Sequence, residues 1–378
     1  LQHGGKLSLA RVLTGRVDDA TAVHSSSGET GKISGILAVT GAHETKRVSA
    51  EAGDTVALGK LDTVKTGDTL TTAKVAPPSL VSIAPTAPVL AMALAAADRK
   101  DDVKLGQALI KLNEEDPSLT VVHNAQTHDT VLWGQGEMHL RVALERLKSR
   151  FGVNVTSHAP AIGYQETIRK PIAQRGRHKK QSGGHGQFGD VVLEISPLPR
   201  GSGFAFIDKI VGGAVPRNYI GAVEEGVVDG LARGPLGFPV IDVQAILTDG
   251  SYHSVDSSDQ AFRTAARIGI SEALPQCQPV LLEPIHMVEI VCPSDATAKV
   301  NAILSARRGQ ILGFDTRESW SGWDCVRAVM PEAEIGDLIV ELRSATAGAG
   351  SFTRQFDRMA EVTGRAADQI IAAHRVAA

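Results

Sequence analysis

Residues 130–151 read Thr-Val-Leu-Trp-Gly-Gln-Gly-Glu-Met-His-Leu-Arg-Val-Ala-Leu-Glu-Arg-Leu-Lys-Ser-Arg-Phe, and the hydrophobic period changes partway through. Residues 130–133 give a short strand signal. From Glu137 onward, Leu140, Ala143, Leu144 and Leu147 recur at the spacing of one helix face, so residues 137–151 are expected to be helical. Upstream, Leu105, Ala108, Leu109 and Leu112 keep the same spacing and predict a helix over 103–115. Strands are expected at 80–84, 120–123 and 153–156. The resulting order, βαββαβ, is that of a ferredoxin-like split fold.

The same order returns near the end of the chain. Strands are expected at 286–291, 309–318, 324–330 and 352–359, with helices at 296–307 (Ser294 as its N-cap) and 334–342 and a final helix at 365–376. Residues 1–76 show no helical period. Short strand signals at 6–17, 35–40, 55–61 and 68–72 alternate with Gly and Asp-Thr turns, which predicts a small β-barrel. The step Ala76-Pro77-Pro78 marks a boundary. Between the two split modules lies a central α/β region, with strands at 190–195 and 240–247 and helices near 216–231 and after Ser258. The expected fold class is therefore multidomain α+β, divided at 1–76, 77–158, 159–283 and 284–378.

Composition narrows the function classes. A chain of 378 residues with 43% hydrophobic and 21% charged residues fits several modest soluble domains. Cys277, Cys292 and Cys325 form no close-spaced pair, and the twelve histidines show no metal spacing, so neither a zinc site nor a disulfide framework is expected. No apolar run approaches a membrane span and no signal-peptide pattern opens the sequence. A reducing, cytoplasmic setting without membrane partners follows as an expectation. The opening Leu-Gln-His-Gly-Gly lacks an initiator Met, which leads us to expect a piece of a longer protein.

One stretch concentrates charge. Residues 169–185 hold six Lys/Arg (Arg169, Lys170, Arg175, Arg177, Lys179, Lys180) and no acid, in a chain of net charge −3. They run into the Gly-rich segment Gly183-Gly184-His185-Gly186-Gln187-Phe188-Gly189. Local positive charge on a slightly acidic background favours phosphate at one place only. Glycines permit close backbone approach, and His185 and Gln187 can hydrogen-bond to phosphate, ribose or base edges. The expectation is an RNA-touching tip on a projecting loop. If all six cations met phosphates of single-stranded RNA, log-affinity would fall with log-salt at a slope of about −4.

Other candidates are weaker. Ser27-Gly28-Glu29-Thr30-Gly31-Lys32-Ile33-Ser34 resembles a phosphate loop but has Ser26 where Gly is needed and Ile33 where Ser/Thr must reach magnesium. A hairpin turn is expected there, and no other nucleotide signature is present, so this chain by itself should carry no GTPase activity and no cofactor. His253, Asp256 and Ser257 raise the idea of a hydrolase, yet residues so close in one loop do not supply a relay from separate elements. A loop stiffened by Asp256 or Ser258 capping the next helix is the plainer reading. Trp133 is expected in a core; Trp320 and Trp323, flanking a Ser-Gly turn, fit packing or base stacking. Arg307-Arg308 fits either a helix C-terminus or an RNA contact.

Six segments in order resemble bacterial elongation factor G. They are Gly-Lys-Leu-Ser-Leu-Ala-Arg-Val-Leu-Thr-Gly at 5–15, Glu-Glu-Asp-Pro-Ser at 114–118, Gly-Gln-Gly-Glu-Met-His-Leu at 134–140, Gln-Ser-Gly-Gly-His-Gly-Gln-Phe-Gly at 181–189, Gly-Ser-Tyr-His-Ser-Val-Asp-Ser-Ser at 250–258 and Pro-Val-Leu-Leu-Glu-Pro-Ile at 279–285. The resemblance covers nearly the whole chain and implies the family's second to fifth domains without its GTPase domain, where GTP and Mg would bind. It further implies that the tip (Arg177, His178, Lys179, Lys180, Gln181, Gly183, Gly184, His185, Gln187) and the second loop (His253, Asp256, Ser257) meet the transfer RNA–messenger RNA duplex in the small ribosomal subunit. The last module would lie near factor-binding RNA of the large subunit. The chain would act as a monomer. Three places depart from the family pattern and point to a divergent paralogue. Phe188-Gly189-Asp190 stands for Tyr-Gly-His, Thr346-Ala347-Gly348-Ala349 for Thr-x-Gly-Arg, and residues 330–337 differ from Pro-Leu-x-Glu-Met-x-Gly-Tyr. A recycling or ribosomal-protection factor of the same architecture is the alternative, and a His253-dependent hydrolase is the alternative of another class.

Overall fold

The computed structural model describes residues 6–41, 43–80, 84–125, 127–181 and 186–377. The chain divides into two compact units, one of residues 1–88, 95–122 and 132–156, the other of 89–94, 123–131 and 157–378.

The described part of the first 76 residues forms only β-structure. A four-stranded sheet, a two-stranded sheet and a three-stranded sheet share one core of Val23, Ile33, Ile36, Val56, Leu58 and Leu61. The single strand expected at 6–17 is two, Leu7–Arg11 and Arg16–Asp18, because the chain turns at Gly15 with φ +70°. The near-miss phosphate loop is a hairpin: Thr30–Lys32 pairs with Ala22–Ser25, and Gly28 supplies the positive φ of the turn.

Both split modules have the expected order. In the first, Leu90–Ala96, Thr120–His123, Thr130–Gly134 and Val155–His158 form a sheet in the spatial order second, third, first, fourth. The helices Asp102–Glu115 and Glu137–Phe151 bury Leu105, Ala108, Leu109, Leu112, Leu140, Ala143 and Leu147. The strand that opens this sheet is Leu90–Ala96, preceded by Pro85 and Pro88, which cannot donate to a ladder; of the strand expected at 80–84, residues 81–83 lie outside the described residues. In the last module, Pro279–Pro293, Gln310–Thr316, Trp323–Pro331 and Ser351–Val362 take the same spatial order. Ser294 does not cap the helix. Its hydroxyl donates to Asp324 at 2.7 Å, and a 3-10 turn, Ser294–Ala296, leads into Thr297–Ala306. Likewise the helix expected at 334–342 begins at Leu338, after a 3-10 turn over Glu332–Glu334.

The strand Pro279–Pro293 also pairs at its start with Gln165–Ile168, so central and last modules share one ladder. Glu361 accepts from both Arg169 and Arg200, and His374 of the last helix stacks on Phe238 at 4.3 Å. Arg307 and Arg308 are taken up by carboxylates, Arg307 by Asp337 and Glu341 and Arg308 by Glu283 and Glu334. Arg317 lies 3.6 Å over the Trp320 ring, which meets Trp323 edge-on.

His286 faces the interior of the last module, and its Nδ1 is buried without a hydrogen-bond partner. Burial and the Arg354 charge push its pKa from 6.5 down to about 4. Glu332, 3.9 Å away, does not offset this, because it is itself desolvated and engaged by Arg354. The unfolded state therefore takes up a proton that the folded state refuses. Stability is expected to fall as pH drops from about 6.5 toward 4, by about 3 kcal/mol in all. Urea midpoints between these limits should show the loss, and His286→Leu should flatten it; an unchanged slope would contradict a neutral buried ring.

Candidate nucleic-acid interface

The central domain is a four-stranded sheet in the order Ile172–Lys180, Gln187–Pro197, Val243–Ser251, Phe204–Asp208, with the helices Arg217–Leu231 and Asp259–Ala273. The first two strands form a long hairpin in register from Ile172↔Ile195 to Lys180↔Gln187. Two glycines let helix Asp259–Ala273 lie directly on it. A Cβ at Gly176 would sit 2.2 Å from the Ala265 carbonyl, and one at Gly189 would sit 2.5 Å from that of Ala261. Ser258 caps this helix by accepting from the Ala261 amide, so of the two expected capping residues it is Ser258 that acts.

Alternation along the strand assigns the cations. Gly176 faces the helix, so Arg175, Arg177 and Lys179 stand on the opposite, open side. Arg177 lies over the Phe188 ring at 5.5 Å. Lys179 and Lys180 are exposed and make no ion pair among the described residues, and Gln181 is exposed at the strand end. The His178 ring is 2.9 Å from the Gln187 side-chain oxygen across the hairpin. Gly183, Gly184 and His185 lie outside the described residues.

The second loop is laced to the hairpin end. Asp256 accepts from the Gly186 amide at 3.0 Å, its own carbonyl accepts from the Phe188 amide at 2.8 Å, and the Ser257 hydroxyl donates to the Phe188 carbonyl at 2.9 Å. The Tyr219 hydroxyl donates to the Ser257 carbonyl at 3.3 Å while its ring stacks on Phe262. Asp256 and Ser257 thus use their polar groups inside the protein, as braces. His253 is different. Its Nδ1 faces the amides of Val255 and Asp256, its side chain is 55% exposed, and its ring meets Phe188 edge-on. The Ser257 hydroxyl gives its proton to a backbone carbonyl rather than to an imidazole among the described residues.

One pairing at this site escaped the sequence. Asp190 is fully buried and accepts from Arg175 Nε at 2.7 Å, from a second Arg175 nitrogen, and from Ser251 at 2.7 Å. Burial raises its pKa, but the bonds from Arg175 and Ser251 and the charges of Arg175 and Arg177 outweigh this and hold it below the ordinary carboxylate range. Strand alternation could have grouped Arg175 with Arg177; nothing in the sequence tells which of them is paired. Not all six cations of the stretch are unpaired. Arg169 is bound to Glu361, Arg175 to Asp190, and Lys170 precedes the far end of the hairpin. Arg177, Lys179 and Lys180 remain exposed at the tip.

Fold and site together define a multidomain α+β chain with two ferredoxin-like modules and a braced, cation-bearing hairpin end. Among the described residues no cluster could hold a metal, and no helix is long and apolar enough to cross a membrane. Family descriptions match three successive segments: elongation factor G domain III at 85–159, domain IV at 160–278 and the elongation factor G C-terminus at 280–370. An elongation factor G-like protein of Synechocystis is 49% identical over 95% of this chain and 52% of its own length. Elongation factor G of Thermotoga petrophila is 39% identical over 97% of the chain and 53% of its own length. A crystal structure of a Thermus thermophilus protein superposes with a TM-score of 0.83 at 35% identity, over 99% of this chain and 56% of that one. The chain belongs to the elongation factor G family. It spans about half the length of the relatives it matches.

Proposed function

We propose that this chain is the ribosome-engaging portion of a translational GTPase of elongation factor G type, acting in the cytoplasm as a monomer. In this reading the hairpin end and the His253 loop enter the decoding region and hold the transfer RNA–messenger RNA pair against backward slippage. The last module then rests near factor-binding RNA of the large subunit. GTP hydrolysis, with Mg, takes place in a part of the parent protein outside this chain and drives the rearrangement. The observation that carries the reading is the tip itself: Arg177, Lys179 and Lys180 make no ion pair among the described residues, and they lie at a hairpin end whose Phe188 meets the exposed His253 ring and is braced by Asp256 and Ser257. The chemistry required is positional and electrostatic, with no bond made or broken by these residues.

Replacing Lys179 and Lys180 by Ala removes two phosphate contacts. The slope of log-affinity for ribosomes against log-salt is expected to flatten by about 1.4. An unchanged slope would contradict direct phosphate contact. A recycling or protection role on the same architecture is the alternative reading. Single-round translocation measured against subunit splitting, with the full-length protein, separates the two.

A further inference from the structure

We infer that Asp190 is an internal counter-ion that withholds Arg175 from RNA and so confines phosphate contact to Arg177, Lys179 and Lys180; the inference rests on the RNA-contact reading of the tip. Arg175 stands on the same open side of the hairpin as Arg177 and Lys179, and its side chain is 60% exposed. By position alone it belongs to the RNA-facing row. Its guanidinium is nonetheless engaged twice by a carboxylate that is itself fully buried.

A carboxylate offers a guanidinium the same two-oxygen geometry as a phosphate, so Asp190 occupies Arg175 as an RNA phosphate would. Exchange of partners is disfavoured, because it would leave Asp190 buried with the Ser251 hydroxyl as its one side-chain hydrogen bond and only the unpaired charge of Arg177 nearby. Arg177, the cross-strand neighbour of Asp190, feels its charge but makes no ion pair among the described residues, and it lies over an aromatic face. Asp190 also pairs across the sheet with Ser251, the residue at which the His253 loop leaves its strand. One side chain therefore sets which cations are available and roots the second loop. It is a positioning residue.

Binding of a short oligouridylate to the 378-residue chain, followed over a range of salt, tests this with four proteins: wild type, Arg175→Gln, Asp190→Asn and the double variant. The expected slope for wild type is about −2, and Arg175→Gln leaves it unchanged. Asp190→Asn releases Arg175 and steepens the slope by about 0.7, and the double variant returns to the wild-type value. A purely structural role for Asp190 would not give a gain that Arg175→Gln cancels. Flattening by Arg175→Gln alone, or no steepening in Asp190→Asn, overturns the inference. Exchange of the Arg175 Nε proton with water is read in the same samples without RNA. Slow exchange in wild type, lost in Asp190→Asn, supports the clamp; fast exchange in wild type overturns it. Slow exchange together with no oligouridylate binding in any of the four supports the clamp and counts against the RNA-contact reading alone.

Discussion

Replacement of His253 by Ala in the full-length protein is expected to slow single-round movement of transfer RNA and messenger RNA by about a hundredfold, while ribosome-stimulated GTP hydrolysis stays near wild type. Asp256 and Ser257 are bonded to the hairpin end and the His253 amide donates to the Ser257 hydroxyl at 2.9 Å, while His253 Nδ1 faces the Val255 and Asp256 amides and lies 3.3 Å from the Asp256 carboxylate. The bonds that tie the loop to the hairpin end do not use the imidazole. Removing the ring deletes what the loop presents and leaves how it is held largely in place. Loss of hydrolysis in proportion to movement would mean that the ring acts on the GTPase step, and the proposed role would fail.

Gly176→Ala is expected to destabilise the central domain by about 3 kcal/mol, seen as a lower urea midpoint. The added methyl group would meet the Ala265 carbonyl at 2.2 Å and the Gly269 amide at 2.6 Å, all backbone atoms that no rotamer change can move aside. Hairpin and helix must separate, and the row carrying Arg175, Arg177 and Lys179 shifts with them. Binding at low salt should weaken along with stability. A variant as stable as wild type would show that the helix does not need the hairpin at this distance.

The two split modules are legible in the sequence because their helices are amphipathic and their strands short, so local periodicity coincides with the final burial of Leu105, Leu109, Leu140 and Leu147. The strand Leu90–Ala96 goes unread because four of its seven residues are alanine, which carries little strand signal. Caps prove less legible than helices. Ser258 accepts from its helix, whereas Ser294, equally plausible in sequence, finds a stronger partner in Asp324, from a strand well down the chain. The tip shows the same limit. Its charge is visible in the sequence, but the pairing that removes Arg169 and Arg175 from it comes from Glu361 and Asp190, which only the fold brings near. Side chains such as Asp256 and Ser257 look available in sequence and turn out to be bonded to the hairpin backbone.

The central claim is that a cation-bearing hairpin end, braced by the loop of His253, rests on RNA at the decoding region. Chemical footprinting of small-subunit RNA in ribosomes carrying the full-length protein tests it most directly, with the Lys179→Ala/Lys180→Ala variant alongside. The account predicts protection of decoding-region nucleotides by the wild type and weaker protection by the variant. A bound factor that leaves those nucleotides as reactive as in empty ribosomes would contradict it.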